Sequence, residues 1–86
     1  MNYEEFEKKG SMYNEKNEKM IYYILGCDYI LEIDKCILIE RGVSLPGLKI
    51  TAKKDNIIIK YEDVNIERIL IYIINKIDNE ENHNGN

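Results

Sequence analysis

The stretch that decides the fold runs from Leu48 to Tyr61 and reads LKITAKKDNIIIKY. Apolar and polar side chains alternate in its first half, which is the period of a strand with one buried face. The polar residues 53–56 mark a chain reversal, so we predict an antiparallel hairpin with Ala52 opposite Ile57. In this hairpin one face carries the apolar residues Leu48, Ile50, Ala52, Ile57, Ile59 and Tyr61.

Upstream of this hairpin, β-branched and aromatic residues favour further strands. A turn at residues 34–36 would pair Ile33 with Ile37 and place Cys36 at an exposed tip. Pro46 and Gly47 are the residue types of a type II turn over residues 45–48, because proline presets φ and glycine accepts a positive φ. Residues 20–25 fit a strand that reverses at 26–28. They also fit a helix with Gly26 as its C′ residue, and we favour the strand.

Downstream, isoleucine and leucine recur at the spacing of one helix face. The stripe consists of Ile66, Ile69, Leu70, Ile73, Ile74 and Ile77, and Asp63 or Asn65 is the expected N-cap. The predicted fold is therefore α+β. It has an antiparallel sheet of four to five strands packed against a C-terminal amphipathic helix, with a short helical or flexible N-terminal segment.

The length of 86 residues allows one small domain. We predict that residues 1–19 form the charged, helical or flexible N-terminal segment and that residues 20–77 form the domain. Residues 78–86 contain no apolar side chain and are expected to be a disordered polar tail.

Composition limits the compartment and the partner. The net charge of −4 is far from the strongly basic balance of a dedicated nucleic-acid binder. The chain has no apolar run long enough to span a bilayer, and its first residues are acidic where a signal peptide is basic. We therefore expect a cytoplasmic protein without a membrane partner. The abundance of Ile, Lys and Asn is typical of a low-GC cellular or viral genome.

The residues needed for catalysis or metal binding are few. His83 is the single histidine and lies in the polar tail, while Cys27 and Cys36 lack CxxC spacing. The glycines do not form a phosphate-binding motif, and the acidic residues fit turns and helix caps. We therefore predict a non-enzymatic protein with no catalytic residues, no cofactor and no metal.

Two surfaces remain after the core is assigned. The helix side opposite the stripe combines apolar groups with an arginine and a tyrosine, which is typical of a protein–protein contact. We predict partner binding by Val64, Arg68, Ile71, Tyr72 and Asn75. The second sheet face carries apolar residues that need a cover, either the N-terminal segment or a second subunit. The candidates for self-association are Tyr22, Ile24, Ile30, Leu38 and Ile58.

We predict a small protein-binding module that acts by surface occlusion, on a larger host protein or on itself as a homodimer. Size and composition, but no motif, associate it with phage- and virus-encoded inhibitors of host proteins, including anti-CRISPR proteins. The alternative is a small dimeric nucleic-acid-binding regulator whose basic hairpin meets phosphates. Its contact residues would be Lys49, Lys53, Lys54 and Lys60. A third hypothesis is a structural subunit that functions as its own oligomer.

Overall fold

The computed structural model describes residues 14–84 as an α+β fold with one three-stranded antiparallel sheet and two helices. In chain order the elements are α1 (Glu15–Gly26), β1 (Ile30–Glu40), β2 (Val43–Lys54), β3 (Ile57–Asp63) and α2 (Ile66–Asn84). The sheet order is β1-β2-β3, so each strand pairs with its neighbour in sequence. The α+β class and the C-terminal helix are confirmed, whereas the sheet has three strands among the described residues instead of four to five.

Residues 20–25 belong to α1, so the prediction of a strand there was wrong. Asn14 caps the helix by accepting a hydrogen bond from the backbone N–H of Asn17 at 3.0 Å. Ile21 and Ile24 are spaced to bury one side of the helix. This cap and this burial outweigh the β propensity of the tyrosines and isoleucines. The helix ends at Gly26, and Asp28, with φ of 67°, adopts the left-handed conformation expected for glycine.

β1 and β2 are long, continuous strands, and the turns predicted at residues 34–36 and 45–48 do not exist. Residues 34–36 lie within β1, and Pro46 and Gly47 lie within β2 opposite Ile37 and Cys36. The reversal is the two-residue loop Arg41–Gly42, where φ is 52° and 77°. Two positive φ values are what a type I′ hairpin turn requires, and this turn matches the right-handed twist of paired strands.

The hairpin of β2 and β3 is present, but its loop is shorter than expected. Asp55 and Asn56 form the loop, so Ala52 lies opposite Ile59 and not Ile57. A shift of two residues keeps every side chain on its predicted face, because the side-chain period of a strand is two. The face assignment was therefore right although the register was wrong.

Both helices pack on one face of the sheet. The buried core contains Ile21, Ile24, Tyr29, Ile33, Leu48, Ile50, Ala52, Ile59, Ile66, Ile69, Leu70, Ile73 and Ile77. Lys16 pairs with Glu67 near the start of the helices, and Tyr23 donates a hydrogen bond to Asp78 farther along. The two helices therefore run side by side in the same direction. The predicted α2 stripe lies in the core, with Ile74 partly buried at its margin.

α2 begins at one of the two predicted caps and ends later than predicted. The Asn65 side chain accepts from the backbone N–H of Glu67 at 2.9 Å, so Asn65 is the N-cap. The helix continues to Asn84, so residues 78–84 of the expected disordered tail are helical. At the other end, α1 includes residues 15–19 of the predicted N-terminal segment. Residues 1–13, with their expected short helices, and residues 85–86 lie outside the described residues.

Candidate functional site

The sheet face away from the helices, here called the open face, contains Ile30, Leu38 and Ile58, three of the five residues predicted for self-association. The strand register arranges these side chains in cross-strand rows. From one end to the other the rows are Ile30–Lys53–Ile58, Glu32–Thr51–Lys60, Asp34–Lys49–Glu62, Cys36–Gly47, Leu38–Leu45 and Glu40–Val43. The open face therefore has two isoleucines flanking Lys53 at one end, a charged middle and an apolar region toward the Arg41–Gly42 loop.

The predicted self-association residues do not form one surface. Ile30 and Ile58 flank Lys53 in the first row, and the charged rows separate them from Leu38. Ile24 is wrong as a surface residue, because it is fully buried between the helices and the sheet. Tyr22 lies on exposed surface of α1 and not on the sheet. Both misplacements follow from the helical conformation of residues 20–25.

The predicted basic patch is mixed in charge. Lys49 and Lys60 lie on the open face in rows that also contain Glu32, Asp34 and Glu62. A depression of about 400 Å³ lined by Lys49, Lys60, Tyr61 and Glu62 accordingly carries both signs of charge. Alternating charges weaken the attraction of a surface for phosphates.

The other two predicted phosphate contacts already have partners within the chain. Lys53 donates to the Glu32 carboxylate at 2.8 Å, and this hydrogen bond lowers the pKa of Glu32. Lys54 faces the helices, with its Nζ 5.6 Å from the centre of the Tyr29 ring. The four lysines therefore do not form a single patch free for nucleic acid.

The outward side of α2 keeps three of the five predicted partner contacts together. Arg68, Ile71 and Asn75 are exposed and follow helical spacing. Tyr72 is half-buried and stacks on Tyr61, with ring centres 4.3 Å apart. Val64 is half-buried in the connection before the helix, beyond the stripe formed by the other residues.

A larger exposed apolar surface lies on the part of the β1–β2 hairpin farthest from the helices, residues 36–47, here called the distal hairpin. β3 pairs only with residues 48–54 of β2, so the distal hairpin extends beyond it as two strands. At about 3.3 Å per residue it projects by roughly 20 Å. On the helix side Ile37 and Ile39 are 66% and 75% exposed, and on the open side Val43 is 56% exposed. Apolar groups left so accessible on a projecting element are typical of a contact surface.

Sequence reasoning missed this surface because it placed turns within both strands. The signal that could have found it is Gly42 after Arg41, with apolar residues at alternate positions on each side. Cys36 consequently does not lie at a tip. It is half-buried opposite Gly47, and burial raises the pKa of its thiol. Burial likewise raises the pKa of Cys27, with Glu81 adding to the effect.

Comparison of the chain with protein-family models, curated proteins and solved structures finds no significant match. Neither described helix combines the length and apolar character needed to cross a membrane. Within residues 14–81, whose side chains the structure describes, His, Cys, Asp and Glu form no cluster of three suited to a metal ion.

Proposed function

We propose that this chain is a non-enzymatic protein-binding module whose distal hairpin contacts a partner protein. The observation that carries the proposal is the exposure of Ile37 and Ile39 on a hairpin that extends past β3 and that the helices leave uncovered. A hairpin of this length can enter a concave surface of a larger protein. The narrower hypothesis of a phage or viral inhibitor rests on size and composition and stays a prediction.

Two matched pairs of isoleucines allow a test. The first variant, Ile37→Ser with Ile39→Ser, removes the apolar surface of the distal hairpin. The control, Ile30→Ser with Ile58→Ser, removes two comparably exposed isoleucines from the far end of the open face. Each buried isoleucine contributes about 1.5–3 kcal/mol to an interface, so losing two weakens binding by at least about a hundredfold.

The measurement is retention of a partner from the lysate of the cell in which the protein acts, with circular dichroism to check the fold of each variant. We expect a protein retained by the wild type and the control variant and lost from the Ile37/Ile39 variant. A third variant, Arg68→Ala with Ile71→Asp, tests the outward side of α2 and should retain the partner. Equal retention by all variants, or loss only in the α2 variant, contradicts the proposed surface.

A further inference from the structure

Among the residues that the structure describes, no strand pairs with the outer edge of β1. β1 has 11 residues and is an edge strand of the described sheet. Glu40 and Val43 flank a two-residue loop and therefore form a hydrogen-bonded pair, from which bonded and non-bonded pairs alternate down the ladder. Every second residue thus directs its N–H and C=O away from β2. These residues are Leu31, Ile33, Lys35, Ile37 and Ile39.

This edge lacks the protection seen elsewhere in the sheet. Within the described sheet, the distal part of β2 also has no neighbouring strand on its outer side, but Pro46 occupies a non-bonded position there and supplies no N–H to a docking strand. The opposite edge strand, β3, has only seven residues. β1 is longer, contains no proline and has one lysine, Lys35. A long edge strand with no proline to block pairing is a template for another strand, and its charged side chains favour a strand of complementary charge.

The two faces of β1 define the chemistry of that strand. On the helix side, Ile37 and Ile39 leave apolar surface beside the edge. On the open side, β1 carries the acids Glu32, Asp34 and Glu40, with Cys36 and Leu38 between Asp34 and Glu40. A strand added at the edge would therefore place apolar side chains on one face and basic side chains on the other.

β2 already shows this match on the inner side of β1. Its Lys49 and Lys53 point to the open face beside the acids of β1, while Leu48 and Ile50 point to the helices. Glu32 accepts from Lys53 at 2.8 Å, and a carboxylate can accept from a second donor. The outer edge offers the same column of acids to a second strand of the same chemistry.

We propose that the β1 edge binds an extended segment of a partner protein in which apolar and basic residues alternate, by antiparallel strand addition. This inference rests on the proposed function, because it assigns the binding mode of the distal hairpin. The segment pairs with the backbone at Ile37 and Ile39 and covers their side chains. Its basic residues lie opposite Cys36 and Leu38, and their long side chains reach Asp34 and Glu40 on the diagonal.

The test uses the full chain and the peptide acetyl-Thr-Val-Lys-Val-Lys-Val-Thr-amide at concentrations up to about 1 mM. We expect binding to slow amide hydrogen exchange at Ile37 and Ile39. In an antiparallel strand the bonded residues face the same side as Ile37, so N-methylation of the valines should weaken binding at least tenfold. N-methylation of the lysines should leave it unchanged. The reverse pattern would indicate a parallel strand, and both that pattern and equal effects of the two N-methylations overturn antiparallel addition.

Two further variants separate backbone pairing from side-chain contact. Ile37→Pro removes an outward N–H without breaking the β1–β2 ladder, and it should weaken peptide binding more than Ile37→Thr does, which keeps the N–H. A peptide with Glu in place of Lys should bind at least tenfold more weakly. Equal binding by the two variants, or by the Lys and Glu peptides, overturns the proposal.

Other occupants of the edge give distinct results. If the amides of Ile37 and Ile39 are already protected without peptide, independently of protein concentration, residues 1–13 cover the edge and the proposal is wrong. Protection that rises with protein concentration assigns the edge to a second copy and also overturns it. If the peptide does not bind but the partner is still captured through Ile37 and Ile39, only strand addition is wrong. If neither the peptide nor a partner binds, the proposed function is wrong as well.

Discussion

At the scale of single residues, Tyr23 and Asp78 connect the two helices across 55 positions of sequence. The tyrosine hydroxyl donates to the Asp78 carboxylate at 2.7 Å. This hydrogen bond, with burial and the negative charge of Asp78 adding to it, raises the pKa of Tyr23 from 10.0 to about 12. The bond exists only while the phenol keeps its proton, so the contact between the helices depends on pH.

The pH dependence of stability tests this contact. Because the folded pKa lies above the unfolded one, the stabilising contribution is complete below pH 10 and is lost as the pH rises through about 12. Urea midpoints of wild type and Tyr23→Phe should therefore differ below pH 10 and converge near pH 12. Asp78→Asn keeps an acceptor but removes the charge, so it should lower the phenol pKa in an absorbance titration. A constant difference between wild type and Tyr23→Phe at every pH would contradict the assignment.

At the scale of elements, β2 continues through Pro46 and Gly47 because each fits its own side of the strand. Pro46 lacks only a donor that would point outward, where no β3 residue pairs with it. Gly47 is buried beneath the Leu38 side chain near the end of β3. A Cβ on Gly47 would lie 2.9 Å from Leu38 Cδ1 and 3.0 Å from the Asp63 carbonyl oxygen. The glycine is thus required by close approach and not by a turn.

Gly47→Ala is expected to destabilise the protein by roughly 1–3 kcal/mol, the cost of overpacking a well-filled site. Gly26→Ala is the matched control, because a Cβ on Gly26 has nothing within 4 Å. It should be neutral or stabilising by up to about 1 kcal/mol, since alanine favours helix. Urea denaturation measures both. Adding Leu38→Ala to Gly47→Ala should relieve the side-chain clash, so a combined loss equal to the sum of the two would argue against this packing.

At the scale of the whole molecule, one sheet face supports the core and the other lies opposite the helices. The helices cover the part of the sheet where β2 pairs with β3, and they leave Ile37 and Ile39 of the distal hairpin exposed. Stability therefore depends on the small core on the helix side of the sheet. At roughly 0.05–0.15 kcal/mol per residue, the free energy of unfolding of so short a chain is smaller than the summed destabilisation caused by a few large-to-small core substitutions.

Two isoleucines of α2, Ile71 and Ile73, allow a test of how far stability depends on the core. Ile73 is fully buried, so Ile73→Ala should cost about 2–5 kcal/mol. Ile71 is 42% exposed on the outward side, and Ile71→Ala should cost less than about 1 kcal/mol. Thermal unfolding of the two variants gives the comparison. Similar losses of stability in both variants would mean that Ile71 is buried in solution, contrary to its exposure in the structure.

An element could be predicted where a local sequence pattern determines it, and could not where contacts between distant parts of the chain determine it. The α2 stripe and the faces of β2 and β3 were predictable, because one periodic pattern suffices for each. The conformation of residues 20–25 was not, because its deciding factors are the Asn14 cap and burial against α2. The turns were misplaced because Pro46 and Gly47 serve edge and packing roles that resemble turn chemistry. That error also hid the distal hairpin.

The packing of α1 against α2 has a consequence for the order of folding. The three strands form a meander, in which each strand pairs with the strand that precedes or follows it in the sequence. Lys16 and Glu67, by contrast, meet across 51 positions, so docking α1 closes a long loop. Loop closure slows contacts of large sequence separation, and we expect the meander and α2 to assemble first. α1 is then the last element to dock, and the apolar surface that it covers on the sheet and on α2 stays exposed until it arrives.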